Sequence, residues 1–125
     1  NLEEAKQCMK SLISNVPYSN KKLVSMDMEE RYRLIISTIL NAIGFQVEVE
    51  HMLSTGRIDI VASTSRFIYV MELKLANNGG INAAEKQMID NGYLKPFLAD
   101  DRKVIGVAVE LDDMGKGLID WKEVK

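Results

Sequence analysis

Asp59, Glu72 and Lys74 are ionisable residues set inside segments otherwise built for burial: Gly56-Arg57-Ile58-Asp59-Ile60-Val61 and Ile68-Tyr69-Val70-Met71-Glu72-Leu73-Lys74-Leu75. Both segments are dense in β-branched and aromatic residues, and the polar run Ser63-Thr64-Ser65-Arg66 separates them, so they read as two strands joined by a turn. Neither alternates cleanly between apolar and polar residues, which is the pattern of a central strand covered on both faces. A carboxylate or ammonium is costly to bury unless it is paired or binds a metal. These three charges therefore need a purpose.

Their spacing suggests one. Side chains alternate faces along a strand, so Glu72 and Lys74 share a face while Leu73 points into the opposite layer. A hairpin centred on Thr64 and Ser65 would pair Ser63 with Arg66 and set Asp59 opposite Val70. Asp59 and Glu72 would then be diagonal neighbours on one face, roughly 7–8 Å apart between backbones. Two carboxylates converging from that distance can share one hard divalent cation, and Mg²⁺ suits a site of one or two carboxylates completed by water and phosphate oxygens. An ammonium beside such an ion can orient a water or offset charge developing on a phosphate. The alternative is a buried ion pair, Lys74 with Asp59 or Glu72, that only fixes strand register.

The surrounding elements read as follows. Leu2, Ala5, Cys8, Met9, Leu12, Ile13 and Val16 recur at helical spacing, predicting an amphipathic helix over 2–16 that Pro17-Tyr18-Ser19-Asn20 ends. A second helix starts near Ser25 or Asp27, carries Glu29 and Glu30 in its first turn, and buries Met28, Tyr32, Ile35, Ile36, Ile39, Leu40 and Ile43 before Gly44. Phe45, Val47 and Val49 alternate with Gln46, Glu48 and Glu50 as a half-exposed strand. The two central strands span 57–63 and 67–75. A loop at 77–80, a helix over 81–93, a strand over 103–110, a turn at 112–117 and a last strand over 118–124 complete the order. A helix between strands allows a right-handed crossover to a parallel strand. The expected fold is an α/β three-layer sandwich around a mixed sheet.

The ordered segments carry a resemblance. Glu30-Arg31-Tyr32-Arg33, Gly44-Phe45-x-Val47, Gly56-Arg57-Ile58-Asp59, Glu72-Leu73-Lys74, Ala84-x-x-Gln87, Tyr93 and Ile119-Asp120-Trp121 follow one another in sequence. Together they resemble the PD-(D/E)xK nuclease superfamily, of restriction-endonuclease-like fold with an αβββαβ core. They are similar in particular to the nuclease-like domain at the C-terminal end of bacterial proteins whose N-terminal part resembles an AAA-type ATPase. The resemblance covers residues 26–125. The superfamily's leading Pro is Ile58 here, a position commonly variable among its members.

The resemblance implies metal-dependent hydrolysis of nucleic-acid phosphodiesters, of DNA ahead of RNA, with Mg²⁺ and with Mn²⁺ as a substitute. It implies Asp59, Glu72 and the backbone carbonyl of Leu73 as metal ligands, Lys74 as the residue that positions the attacking water, and Gln87 as its helper. It also implies a helical acid that reaches the metal. The Glu-x-Tyr match places this acid at Glu30, with Glu29 as the residue to take its place; by itself, a Glu in a helix's first turn is a surface residue favoured by the helix dipole. The rival from another class is a regulatory or interaction domain that keeps the fold without turnover. An ATPase-like domain preceding the chain is the expected partner.

Length and composition agree with one domain. At 125 residues and 46% hydrophobic, the chain can bury a substantial core. No stretch approaches the ~18 consecutive apolar residues that a membrane span needs. Residues 1–25 read as a helix and linker left from a junction to a preceding domain, and the chain begins with Asn, as a fragment would. The single Cys8 fits a reducing cytoplasm. A net charge of −2 speaks against simple backbone-tracking of nucleic acid. The basic residues Lys21, Lys22, Arg31, Arg33, Arg57 and Arg66 are mixed with acids and read mostly as solvated surface. His51 is the only histidine, so histidine-based metal or triad chemistry has nothing to draw on. Tyr93 reads as packing at a helix end, Trp121 as core or rim packing, and the glycines at 79, 80, 115 and 117 as turns.

Overall fold

Asp27 opens the first helix. Its backbone is extended, and its carboxylate accepts the Glu30 N–H at 2.8 Å, satisfying one of the donors that a helix start leaves free. In the computed structural model, which describes residues 6–7, 9–11 and 27–124, this helix is α1, Met28–Ala42. Tyr32, Ile36 and Leu40 recur every fourth residue and are buried. Ile43, expected on the same stripe, is 48% exposed. It is the helix C-cap, so its side chain has left the buried face by the time Gly44, at φ 105°, turns the chain away.

The strands are β1 (Gln46–Leu53), β2 (Gly56–Ser63), β3 (Phe67–Leu75), β4 (Lys103–Leu111) and β5 (Leu118–Val124), and a second helix, α2 (Gly80–Asp90), lies between β3 and β4. They form one five-stranded sheet in the order β1-β2-β3-β4-β5. β3 and β4 are parallel, joined across α2, and the other neighbours are antiparallel. One face of the sheet packs Ile60, Ala62, Met71, Leu73, Val107 and Val109 against α1. The other packs Ile68, Val70 and Ala108 against Ala84 and Met88 of α2. The result is the expected three-layer α/β sandwich on a mixed sheet. The helix expected over 2–16 lies largely outside the described residues, as do Cys8, the Pro17–Asn20 turn, Lys21 and Lys22. Residues 6–7 and 9–11 are helical, and Met9 is buried in the α1-side core. Among the described residues, no helix is long and apolar enough to cross a membrane.

Two details of the sheet differ from expectation and both bear on the charged residues. The β2–β3 turn centres on Ser65 and Arg66, not on Thr64 and Ser65. Thr64 follows the last ladder pair and closes the turn, its N–H donating to the Phe67 carbonyl at 2.9 Å, while its hydroxyl accepts the N–H groups of Arg66 and Phe67. The pairing therefore runs Ser63↔Ile68 to Ile60↔Met71, two residues from the expected register, and the next position sets Asp59 directly across from Glu72. An even shift leaves every side chain on its face.

The second difference is in β1, which extends to Leu53 and does not alternate cleanly; Val49 is exposed. The α1-side core reaches Phe45 and Val47 but not Val49. Just beyond it, Glu50 adopts φ 54°, alone among the described non-glycine residues, at the position facing Asp59 between the pairs Val49↔Ile60 and His51↔Ile58. The ribbon turns over there: Ile60 joins the α1-side core and Ile58, two residues away, joins the α2-side core.

α2 starts in a tight place. Gly79 and Gly80 take φ 98° and 59°, and the Glu110 carboxylate, next to Lys74 in the β3–β4 register, accepts the Ile81 N–H at 2.8 Å. A Cβ on Gly80 would lie 2.3 Å from Glu110 Oε1. Gly80→Ala should therefore cost about 1–3 kcal/mol in urea denaturation, combining the left-handed backbone with displacement of the Glu110 cap. The loss should shrink in a Glu110→Ala background, where the cap is already gone.

Candidate active site

β2 and β3 stop pairing after Ile60↔Met71, and the two acids occupy the fork this leaves. Asp59 replaces the missing ladder contact with its side chain: Oδ2 accepts the Leu73 N–H at 2.8 Å. Its Oδ1 lies 3.5 Å from Arg33 Nη1, and both side chains are 13% exposed. Glu72 is buried at 2% exposure. Its Oε2 is 4.0 Å from the Lys74 ammonium, and its buried Oε1 has no hydrogen-bond partner. Leu73 is buried in the α1-side core, opposite to Glu72, and supplies its N–H to Asp59.

The electrostatics follow from the enclosure. Burial, the neighbouring Asp59 charge and a hydrogen bond to Asp59 push the Glu72 carboxyl up to about 9, against a smaller pull from Lys74. Burial also raises Asp59, opposed by the Leu73 amide, the Glu72 hydrogen bond and Arg33. Burial and the facing Asp59 charge thus favour the protonated form of Glu72. Two acids that cannot both ionise, one with an orphaned buried oxygen, form a donor set for a hard cation. Among the described residues, no group of three His, Cys, Asp or Glu side chains could hold a metal by itself. Two carboxylates completed by water and phosphate oxygens still suit Mg²⁺.

These acids floor an open pocket of about 660 Å³ that Glu29, Lys74 and Gln87 also line. The β1–β2 hairpin from Met52 to Arg57 forms one wall, and Asn91 and Tyr93 stand beyond the end of α2. Asp59, Glu72, Lys74 and Gln87 are brought together. Glu30 is not: it is exposed and outside the pocket, and its neighbour Glu29 lines the pocket and acts electrostatically on Asp59. The phase of α1 explains the exchange. Glu29 lies one turn before Arg33, which faces Asp59, whereas Glu30 lies one turn before Leu34, which is exposed.

Gln87 turns its amide toward Tyr93 rather than Lys74: Nε2 donates to the Tyr93 hydroxyl at 3.0 Å, and Asn91 Nδ2 donates to the same oxygen at 3.3 Å. Tyr93 is buried as expected of packing, but its hydroxyl is also part of the pocket wall. Arg33 and Arg31, read above as solvated surface, are largely buried, and Arg33 bridges Asp59 to Glu50. Glu29 and Arg33, four residues apart, share one helix face, but no sequence signal ties that face to Asp59 or Glu50. His51 is partly buried at the β1–β2 ribbon, against Glu48 and the Phe97 ring. Trp121 packs at the rim of the α1-side core.

A family model for the PD-(D/E)XK nuclease superfamily matches residues 27–121, and the chain belongs to that superfamily. No curated protein and no solved structure is significantly similar to it. The family defines a nuclease-type domain.

The raised Glu72 carboxyl has a consequence for stability. Between its ordinary value of 4.5 and about 9, the folded protein keeps a proton that the unfolded chain releases, so stability falls as pH rises through this window. Glu72→Gln removes the titration. The variant should show a flatter stability profile in urea denaturation across that window, and above neutral pH should exceed wild type by about 1–3 kcal/mol.

Proposed function

We propose that this domain hydrolyses phosphodiester bonds in nucleic acid, DNA in preference to RNA, with Mg²⁺ bound at the β2–β3 fork and Mn²⁺ able to replace it. One observation carries the reading: a buried glutamate oxygen without a partner, facing a second carboxylate at the floor of an open pocket. Asp59 and Glu72 would hold the ion, with the Leu73 carbonyl beside them, and Glu29, which lines the pocket, would take the role that the resemblance gave to Glu30. A divalent cation bound there supplies Lewis-acid polarisation of a phosphoryl oxygen.

The chain's own residues do the rest. Lys74, partly exposed to the pocket and 4.0 Å from Glu72, orients the attacking water and faces developing negative charge. Gln87, fixed by Tyr93, lines the path of the phosphate. Arg57, half exposed on the hairpin wall, offers a cation to the strand. With a net charge of −2, the domain needs nucleic-acid contact from elsewhere. The resemblance of the sequence to nuclease-like domains of bacterial ATPase-containing proteins supports a preceding ATPase-like domain in that role, in the cytoplasm.

A catalytically inert module that keeps the fold is the second reading, favoured by the net acidity and by the Arg33 guanidinium against Asp59. Incubating the chain with plasmid DNA, linear DNA and RNA, with Mg²⁺, with Mn²⁺ and with EDTA, separates the two. Lys74→Ala should lower metal-dependent cleavage by about 10²–10³-fold while calorimetric Mn²⁺ binding persists, because the lysine acts on water and phosphate. Asp59→Ala should lose both cleavage and binding. A wild-type chain that neither binds Mn²⁺ nor cleaves any nucleic acid, alone or with its preceding domain restored, would establish the inert module.

A further inference from the structure

Arg33 stands between two carboxylates. Its Nη2 meets Glu50 Oε1 at 2.6 Å, and its Nη1 faces Asp59 Oδ1 at 3.5 Å. The shorter contact goes to the residue whose backbone is strained. Glu50 adopts φ 54°, a left-handed backbone in which an L side chain is strained and Gly or Asn is the usual occupant. What this position gains from a glutamate is the carboxylate, which holds Arg33 and, at 3.6 Å, also meets Arg57. With Oδ2 of Asp59 engaged by Leu73 N–H, Oδ1 is the oxygen over which Arg33 and an incoming cation compete.

We propose that Arg33 and Glu50 are a positioning pair that sets the affinity of the Asp59–Glu72 site for a divalent cation: Arg33 opposes the cation at Asp59, and Glu50 holds Arg33 away from it. The inference rests on the metal-site reading given above. Its physical basis is Coulombic. A guanidinium beside a carboxylate in a mostly buried site repels a dication by an amount that screening only partly removes, and it is more repulsive the closer it sits to the shared oxygen. Glu50 lies on the same guanidinium and outcompetes Asp59 for it by distance. Glu50 makes this contact from the position of β1 that faces Asp59. The pair thus joins α1, β1 and β2 at one ligand of the site.

The test uses the full chain, Mn²⁺ alone as the probe, and isothermal titration calorimetry, with circular dichroism to establish folding. Arg33→Met keeps the aliphatic stem and removes the charge, and should bind Mn²⁺ about tenfold more tightly. Glu50→Gln should bind it several-fold more weakly, because Arg33 is released onto Asp59. In the double variant the Glu50→Gln effect should disappear, leaving the affinity of Arg33→Met. A pair serving structure alone would leave affinity unchanged or lower it in both single variants, and that result overturns the proposal. A Glu50→Gln effect that persists undiminished without Arg33 also overturns it, since Glu50 would then act on the ion by its own charge. Should Arg33→Met fail to fold, Arg33→Gln takes its place in the same cycle, alone and with Glu50→Gln, and is read by the same outcomes. Wild type that takes up Mn²⁺ while Arg33→Met binds no tighter defeats only this inference, whereas wild type that takes up none defeats the metal site and the pair together.

Discussion

Two carboxylic acids held face to face in a mostly buried fork are the constraint on which this domain depends. Two like charges about 4 Å apart repel by roughly 4 kcal/mol at an effective dielectric constant near 20, and burial adds the cost of desolvating each. Asp59 and Glu72 remain together because the ladder from Ser63↔Ile68 to Ile60↔Met71 delivers them to facing positions. The Leu73 amide and a proton held on Glu72 then relieve the charge. The sheet gives up pairing at the fork, and Asp59 uses the backbone donor this frees.

Other elements follow from the same demand. The fork is tolerable because both faces of the sheet are packed, by α1 on one side and α2 on the other. The change of side between Ile58 and Ile60 keeps β2 anchored in both cores on either side of Asp59. α2 begins against Glu110, the register neighbour of Lys74, so the helix carrying Gln87 is tied to the strand next to the lysine. Beyond its end, the Thr55 hydroxyl donates to the Asn91 carbonyl at 2.8 Å, and this fastens the β1–β2 hairpin as a wall of the pocket.

Much of this was legible in the sequence, for physical reasons that differ from residue to residue. The shared face of Asp59 and Glu72 depends only on the period-two alternation of strands, so it survived a turn placed one residue off. The register was not legible. It rests on Thr64, whose hydroxyl caps the turn just past the end of β2, and threonine suits a strand and a turn equally well. The extent of α1 was readable from Asp27 and Gly44, but which first-turn acid faces the sheet depends on helical phase, and adjacent residues differ by about 100°. Glu30 and Glu29 exchanged places for that reason. Arg33 was hidden because its two partners are far away in sequence. Neither a positive φ at Glu50 nor the change of side at Asp59 leaves a mark in composition.

The acidic balance of the whole chain and the chemistry of the pocket are separate matters. Electrostatic work is done over a few ångströms, within the Debye length and with little screening where side chains are buried. Around the fork, Glu29, Glu50, Asp59 and Glu72 face Arg33, Arg57 and Lys74, and burial, which favours the protonated form of Glu72, moves this set toward neutrality. A buried site near neutrality is stable without a cation, whereas four ionised acids in the same space would not be. The arginines and the proton therefore do for the resting domain what a dication does for the working one on the proposed reading. A net charge of −2 counts residues that never meet the pocket, and it bears on how nucleic acid is attracted to the domain rather than on what the fork can do once a phosphate arrives.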